Sequence, residues 1–164
     1  MYRLFFGFFS LIFISLSSCQ SSTTTEADAN LTQAQEIYDE AIVVHDEVMP
    51  RMDEMMRLRR TVQQQMDSLQ QVDSVAYADT LQQMQTIVQN LKEADDAMMQ
   101  WMRNTVGVPT QEELQSPDPV DTTNIIQVQQ QQKAAIEQVK QQMESSIEEA
   151  KALIAEMEGN IKQN

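Results

Sequence analysis

Residues 31–69 read LTQAQEIYDEAIVVHDEVMPRMDEMMRLRRTVQQQMDSL. Small and apolar side chains recur along this stretch at alternating spacings of three and four residues, interrupted once at Arg59. They are Ala34, Tyr38, Ala41, His45, Val48, Met52, Met55, Val62, Met66 and Leu69. This spacing places them on one face of an α-helix. The stretch therefore predicts one long amphipathic helix, about 31–69, whose start Asn30 or Thr32 could cap.

Pro50 lies in the middle of this predicted helix. A proline removes one backbone hydrogen bond of the helix and leaves the carbonyl of residue 46 without its partner. We therefore expect a kink or a break beside Met49.

Two further stretches predict helices at about 75–103 and 123–158. The apolar face of the first comprises Tyr77, Leu81, Met84, Val88, Leu91, Met98 and Met102, widened by Ile87, Ala94 and Trp101. The face of the second comprises Ile125, Ile136, Val139, Met143, Ile147, Ala150, Ile154 and Met157. Asp73-Ser74 predicts a turn between the first two helices, and Gly159-Asn160 predicts the end of the third.

The connection at 106–121 holds three of the four prolines. Within it, Thr110 and Glu113 have the spacing of a capping box, which predicts a single helical turn. The predicted fold is all-α: an elongated antiparallel helical hairpin plus a third long helix, over residues 31–164. Helices of this length pack along a narrow seam, as a three-helix bundle or a coiled-coil-like assembly.

Composition excludes several classes of function. The chain has 164 residues, with 25 acidic and 11 basic side chains, a net charge of -14, one His, one Cys and three Gly. A chain so acidic is unsuited to binding nucleic-acid phosphates, which require a clustered basic surface. One His and one Cys cannot build a Cys/His zinc cage or a Ser/His/Asp triad, and three glycines leave little for a phosphate-binding loop. We predict that the protein is not an enzyme.

The first 18 residues have the pattern of a targeting segment. One basic residue, Arg3, precedes an uncharged and mostly apolar run from Leu4 to Leu16, which is too short for a membrane-spanning helix. Leu16-Ser17-Ser18-Cys19 resembles the bacterial lipobox, and the resemblance implies that Cys19 is acylated and becomes the new N-terminus. The alternative is an ordinary secretory signal in which Cys19 is a free thiol.

Residues 19–30 are then the lipidated cysteine and a small, polar spacer. A protein with this leader is expected in a bacterial cell envelope, anchored to a membrane by its lipid. Gln20 and Ser21 lack the Asp that retains such proteins at the inner membrane in enteric-type sorting. We therefore expect the outer membrane, facing the periplasm, with a protein partner or self-association and no nucleic acid.

Two segments stand out chemically: HDEVMPRM at 45–52 and ADDAMMQWM at 94–102. A turn at Asp73-Ser74 would place His45 opposite Met102 and Met49 opposite Met98. Thioether and imidazole are suitable ligands for Cu(I), so these four side chains predict a Cu(I) site. Trp101 could shield the ion with its ring face.

The alternative is that these side chains are packing residues. Methionine fills irregular gaps in helical seams, Trp101 would be an anchor, and His45 would be held by Asp46, Asp95 or a freed carbonyl. The same register places Arg51 opposite Asp96, as a cross-helix ion pair that sets register more than it adds stability.

The two segments, with SSIEEAKAL at 145–153, resemble small bacterial lipoproteins catalogued as viral A-type inclusion protein-like, over most of residues 41–155. The resemblance implies a helical lipoprotein, and it implies no activity or ligand. LTQAQ at 31–35 also matches the LTxxQ signature of Spy-like periplasmic chaperones, which are helical hairpins. The leading functional prediction is a non-catalytic structural or interaction role in the envelope. A Cu(I)-binding protein and a Spy-like chaperone are the alternatives.

Overall fold

The computed structural model of the protein describes residues 26–118 and 120–163, which form helices and the connections between them. The helices are α1 (Glu26–Val48), a 3-10 turn (Met49–Arg51), α2 (Met52–Asp73), α3 (Ala78–Asn104), α4 (Gln111–Leu114) and α5 (Ile125–Gln163). No strand occurs among the described residues. The prediction of an all-α protein is therefore confirmed.

The break expected at Pro50 is present. α1 ends at Val48, Met49–Arg51 form the 3-10 turn, and α2 begins at Met52. Proline occupies a first position of the turn, where its missing N–H is tolerated. The buried face continues across the break, because Val48 and Met55 are both buried, at the same spacing of seven that continues to Val62.

The predicted start of the first helix was wrong. α1 begins at Glu26, so the last residues of the predicted spacer are helical. Glu26 and Asp28 lie in the first turn, where acidic side chains favour a helix, and the neighbouring Ala27 and Ala29 are strong helix formers. Thr32 does not cap the helix: its hydroxyl donates to the carbonyl of Asp28 within α1, at 2.9 Å.

α3 also differs from its prediction at its start. Residues 74–77 form the turn, which Asp73 holds because its Oδ1 accepts from the backbone N–H groups of Val75 and Ala76. α3 therefore begins at Ala78, and Tyr77 is 39% exposed rather than part of the apolar face.

Gly159 does not end the third helix, since α5 continues to Gln163. No described glycine has a positive φ, so the left-handed geometry that lets glycine stop a helix is not used. The capping box at Thr110 and Glu113 is confirmed: the Thr110 side chain accepts from the Glu113 backbone N–H, and the Glu113 carboxylate accepts from the Thr110 backbone N–H. These two bonds support the single turn of α4.

The core is a seam with coiled-coil spacing. On α1 and α2, the residues at 1% exposure or less recur every seven positions: Ala34, Ala41, Val48, Met55 and Val62. On α3 the buried residues alternate at three and four: Met84, Ile87, Leu91, Ala94, Met98 and Trp101. On α5, Gln129, Ile136, Met143 and Ala150 again recur every seven. Side chains at these spacings form the narrow apolar stripe that buried helix seams require.

α5 is the helix around which the others pack. It contacts α1, α2 and α3, and α2 also contacts α3. Lys133 bonds to Glu40 at 2.6 Å, Lys140 to Glu47 at 2.7 Å, and Arg51 reaches Glu144 at 3.5 Å. Each of these pairs joins residues 93 positions apart, so α5 runs in the same direction as α1.

The ion pairs between α1 and α5 also shift the ionisation of their members. The hydrogen bond to Glu40 raises the pKa of Lys133, and the hydrogen bond to Glu47 raises the pKa of Lys140. Between α5 and α2, the hydrogen bond from Lys151 lowers the pKa of Glu54. All three shifts favour the charged forms, because each group gains an opposite charge in the folded protein.

Candidate functional site

Trp101, on the last turns of α3, is the centre of the candidate site. Its indole Nε1 donates to the backbone carbonyl of Gln132 on α5 at 2.8 Å. Its ring stacks on the imidazole of His45 on α1, with ring centroids 5.4 Å apart and planes at 23°. One side chain thus joins three helices, and only 7% of it is exposed.

His45 is held in a defined orientation. Its Nδ1 lies 2.9 Å from Oδ1 of Asp46, and its side chain is 19% exposed. A carboxylate oxygen accepts hydrogen bonds, so Nδ1 is the donor in this contact. Nε2 is buried and has no hydrogen-bond partner among the described residues. The expectation that Asp46 could hold His45 is confirmed, and one ring nitrogen remains available.

The methionines predicted to share this site have different surroundings. Met98 is fully buried in the same core cluster as Trp101, and Met102 is partly buried against that cluster. Met49 lies in the 3-10 turn and is 37% exposed. The structure therefore brings His45 and Trp101 into direct contact, with Met98 in the adjoining core, while Met49 faces the solvent in part.

The ion pairs near the site differ from the prediction. Arg51 does not pair with Asp96: it lies 3.7 Å from Glu54 and 3.5 Å from Glu144. Asp96 pairs with Lys92 one turn earlier on α3, and this hydrogen bond lowers the pKa of Asp96. The cross-helix pair is instead Arg59 with Asp95, at 3.7 Å. The turn at 74–77 is longer than predicted, which changes which residues of α2 and α3 face each other.

Two glutamines that the sequence analysis did not identify fix the chain after α3. Gln129 is fully buried, and its amide donates to the Val106 carbonyl at 3.2 Å and accepts from Gln132 at 2.6 Å. The Gln132 side chain bonds both the N–H and the carbonyl of Val106, at 2.6 and 3.0 Å. A buried amide is stable only when it is paired in this way. Gln129 lies seven residues before Ile136, and this spacing could have identified it as a core position.

The remaining predicted site residues, Leu16, Ser17, Ser18 and Cys19, lie outside the described residues. Within residues 26–118 and 120–163, no helix has the length and apolar character that a bilayer crossing requires. The LTQAQ segment at 31–35 lies inside α1.

In the part of the chain that the structure describes, no three His, Cys, Asp or Glu side chains are grouped as metal ligands would be. A site for a softer ion would therefore depend on His45 and the methionines. Searches of protein-family models, of curated proteins and of solved structures found no match to this chain.

Proposed function

We propose that the protein is a lipid-anchored helical protein of the bacterial cell envelope, with a non-catalytic structural or interaction role. The observation that carries the proposal is the lipobox-like Leu16-Ser17-Ser18-Cys19 after an uncharged run, followed within a few residues by α1. An acylated Cys19 would fasten α1 to a membrane by its N-terminal end. The outer membrane, with the helices in the periplasm, is the location we propose.

The packing of the helices supports a structural or interaction role. We propose that α2 and α3 form an antiparallel hairpin and that α5 completes it as the third long helix. Two ion pairs, Lys133 with Glu40 and Lys140 with Glu47, join α1 to α5, and the seam contains mainly methionine, alanine and branched aliphatic residues. Such a molecule presents long helical surfaces, which suit a spacer or a binding partner more than a catalyst.

Acylation is tested in cells that carry the full chain. We expect mass spectrometry of the membrane-associated protein to show Cys19 as the first residue, bearing fatty acyl chains. Cys19→Ser should lose the acyl chains and leave the membrane fraction, whereas Ser18→Ala keeps a small residue before the cysteine and should behave as the unaltered chain. An unmodified Cys19, or a Cys19→Ser chain that stays in the membrane fraction, contradicts the lipid anchor.

A second candidate function, Cu(I) binding, is favoured by Nε2 of His45, which is buried without a hydrogen-bond partner among residues 26–118 and 120–163. Metal-binding histidines commonly donate the N–H of their other ring nitrogen to a carboxylate, and Nδ1 of His45 lies 2.9 Å from Oδ1 of Asp46. Met98 and Met102 supply thioether sulfur in the adjoining core, and Trp101 covers one face of the imidazole. Soft sulfur and imidazole ligands suit Cu(I). Met49 would be a fourth Cu(I) ligand only if its side chain turned inward from its partly exposed position.

Titration of the full chain with Cu(I), under reducing conditions and against a chromophoric chelator, tests this candidate. We expect one Cu(I) per chain, with quenching of the fluorescence of Trp101, the only tryptophan. His45→Ala and Met98→Leu should each weaken binding by at least about tenfold, since each removes one ligand. Met56→Leu changes a methionine that is 39% exposed on α2 and should bind as the unaltered chain. Absence of stoichiometric binding, or equal effects of Met98→Leu and Met56→Leu, rejects the site.

A further inference from the structure

A groove between α3 and α5 is lined by uncharged side chains. It has a volume of about 490 Å³, and none of the described residues that line it is charged. Glutamines form its walls, with Gln100 on α3 and Gln131, Gln138 and Gln142 on α5. The stripe from Val128 to Gln142 on α5 is about 21 Å long at the rise of an α-helix. This is a long, uncharged surface on a chain whose net charge is -14.

The absence of charge in the groove follows from how α5 distributes its ionisable residues. Between residues 125 and 147 these are Lys133, Glu137, Lys140 and Glu144. Lys133 pairs with Glu40 and Glu137, Lys140 with Glu47, and Glu144 with Arg51, so these charges lie toward α1 and the 3-10 turn. The remaining exposed positions of this stretch include Gln131, Ala135 and Gln138. The exposed face of α5 along the groove therefore presents amides and no charge, which is the chemistry that a second surface would meet there.

The chemistry of the groove favours an identical partner. A primary amide both donates and accepts hydrogen bonds, so a row of glutamines is complementary to itself. A two-fold contact requires this property, because each patch must match its own copy. A charged partner would have to desolvate its charges against neutral amides, at a free-energy cost that a neutral partner avoids. Ala97 and Ala135 in the groove also allow a helix to approach closely.

We propose that this groove is a self-association face, in which α5 of a second copy lies antiparallel along the uncharged stripe of the first. The net negative charge of the chain makes acidic surfaces of two copies repel each other, whereas two uncharged grooves in contact add no such repulsion. In this arrangement Gln131 of one copy lies near Gln138 of the other. The proposal supplies a partner for the interaction role proposed above; it rests on that role, and it is independent of the lipid anchor.

Sedimentation equilibrium of the full chain tests the proposal, in a detergent matched to the density of the buffer and again with Cys19→Ser without detergent. We expect the mass of a dimer for the full chain in detergent and for the Cys19→Ser chain without detergent. Gln131→Glu with Gln138→Glu, an isosteric change at two exposed positions, should weaken the dimer at low salt by at least about tenfold through like-charge repulsion. Gln64→Glu with Gln71→Glu adds the same charge at the same spacing on exposed positions of α2 and should leave the dimer intact.

A charge-swap experiment separates a direct contact from a general effect of charge. The double variant Gln131→Lys, Gln138→Lys should also fail to form a stable dimer. Mixing it with the glutamate variant should restore a dimer that contains one copy of each. A monomeric unaltered chain overturns the proposal, and so does a dimer that the groove charges leave unchanged. Failure of mixing to restore the dimer also overturns it. Because the dimer is measured with Cys19→Ser as well, failure of the lipid anchor would be seen separately.

Discussion

Leu91→Ala is expected to lower the free energy of unfolding by about 2–5 kcal/mol, the range measured for large-to-small substitutions in protein cores. Leu91 is 1% exposed and occupies the middle of the buried stripe of α3, between Ile87 and Ala94. Truncation removes apolar contacts and leaves a cavity that two flanking helices cannot close, because α2 and α5 are held by their own seams. Denaturant titration followed by circular dichroism measures the change.

Leu91→Met is the matched control, since it keeps nearly the same volume with a flexible side chain. We expect it to cost less than about 1.5 kcal/mol. If Leu91→Ala and Leu91→Met unfold at the same denaturant concentration, position 91 is not part of a packed seam and the described packing of α3 is wrong.

Trp101→Ala is expected to have an effect of similar size or larger, about 3–5 kcal/mol. The indole contributes the stack with His45, the hydrogen bond to the Gln132 carbonyl and the contacts of the largest side chain in the core cluster. Its loss removes contacts on three helices at once. Unfolding is again followed by circular dichroism, because this substitution removes the only tryptophan fluorophore.

Two further variants divide this effect between its causes. Trp101→Phe keeps an aromatic ring beside His45 and loses the Nε1 donor, which should cost more than Leu91→Met but less than Trp101→Ala. His45→Ala removes the stack and also the buried nitrogen that has no partner, so we expect a smaller loss than for Trp101→Ala. A Trp101→Ala chain as stable as the unaltered one would mean that the three helices do not meet at this side chain.

The helices could be predicted from the sequence because their apolar residues recur at the helical spacings of three, four and seven. The break beside Met49 could be predicted for a different reason, the missing N–H of Pro50, although its 3-10 geometry could not. The errors lie at the ends, where there is no such pattern. Residues 26–30 contain no apolar residue larger than alanine, yet they are helical because alanine and first-turn carboxylates favour a helix.

The register of α3 against α1 and α2 could be predicted only in part. His45 contacts Trp101, one residue from the predicted Met102, whereas Asp95 pairs with Arg59 and not Asp96 with Arg51. A register estimate depends on the exact turn, and the bonds from Val75 and Ala76 to Asp73 extend this turn to residue 77. The direction of α5 was not predictable at all, because the long connection at 105–124 can return the chain to either end of the hairpin.

The candidate site could also be predicted only in part. Chemistry alone identified His45 and Trp101, as the only residues of their kinds, and the structure places their rings in contact. The clamp of Gln129 and Gln132 on Val106 depends on a contact between a loop and a helix 23 or 26 residues later in the chain. Local spacing carries no information about such a contact.

The pairs between α1 and α5 determine how the molecule would respond to mechanical tension. Since the two helices point the same way and their ion pairs are spaced along them, a pull on the N-terminal end of α1 tends to slide one helix past the other. In that geometry the pairs at Glu40, Glu47 and Arg51 must yield together rather than one after another. Tension along the axis would therefore load these three pairs at the same time, and a sideways pull on α1 would separate them one pair at a time.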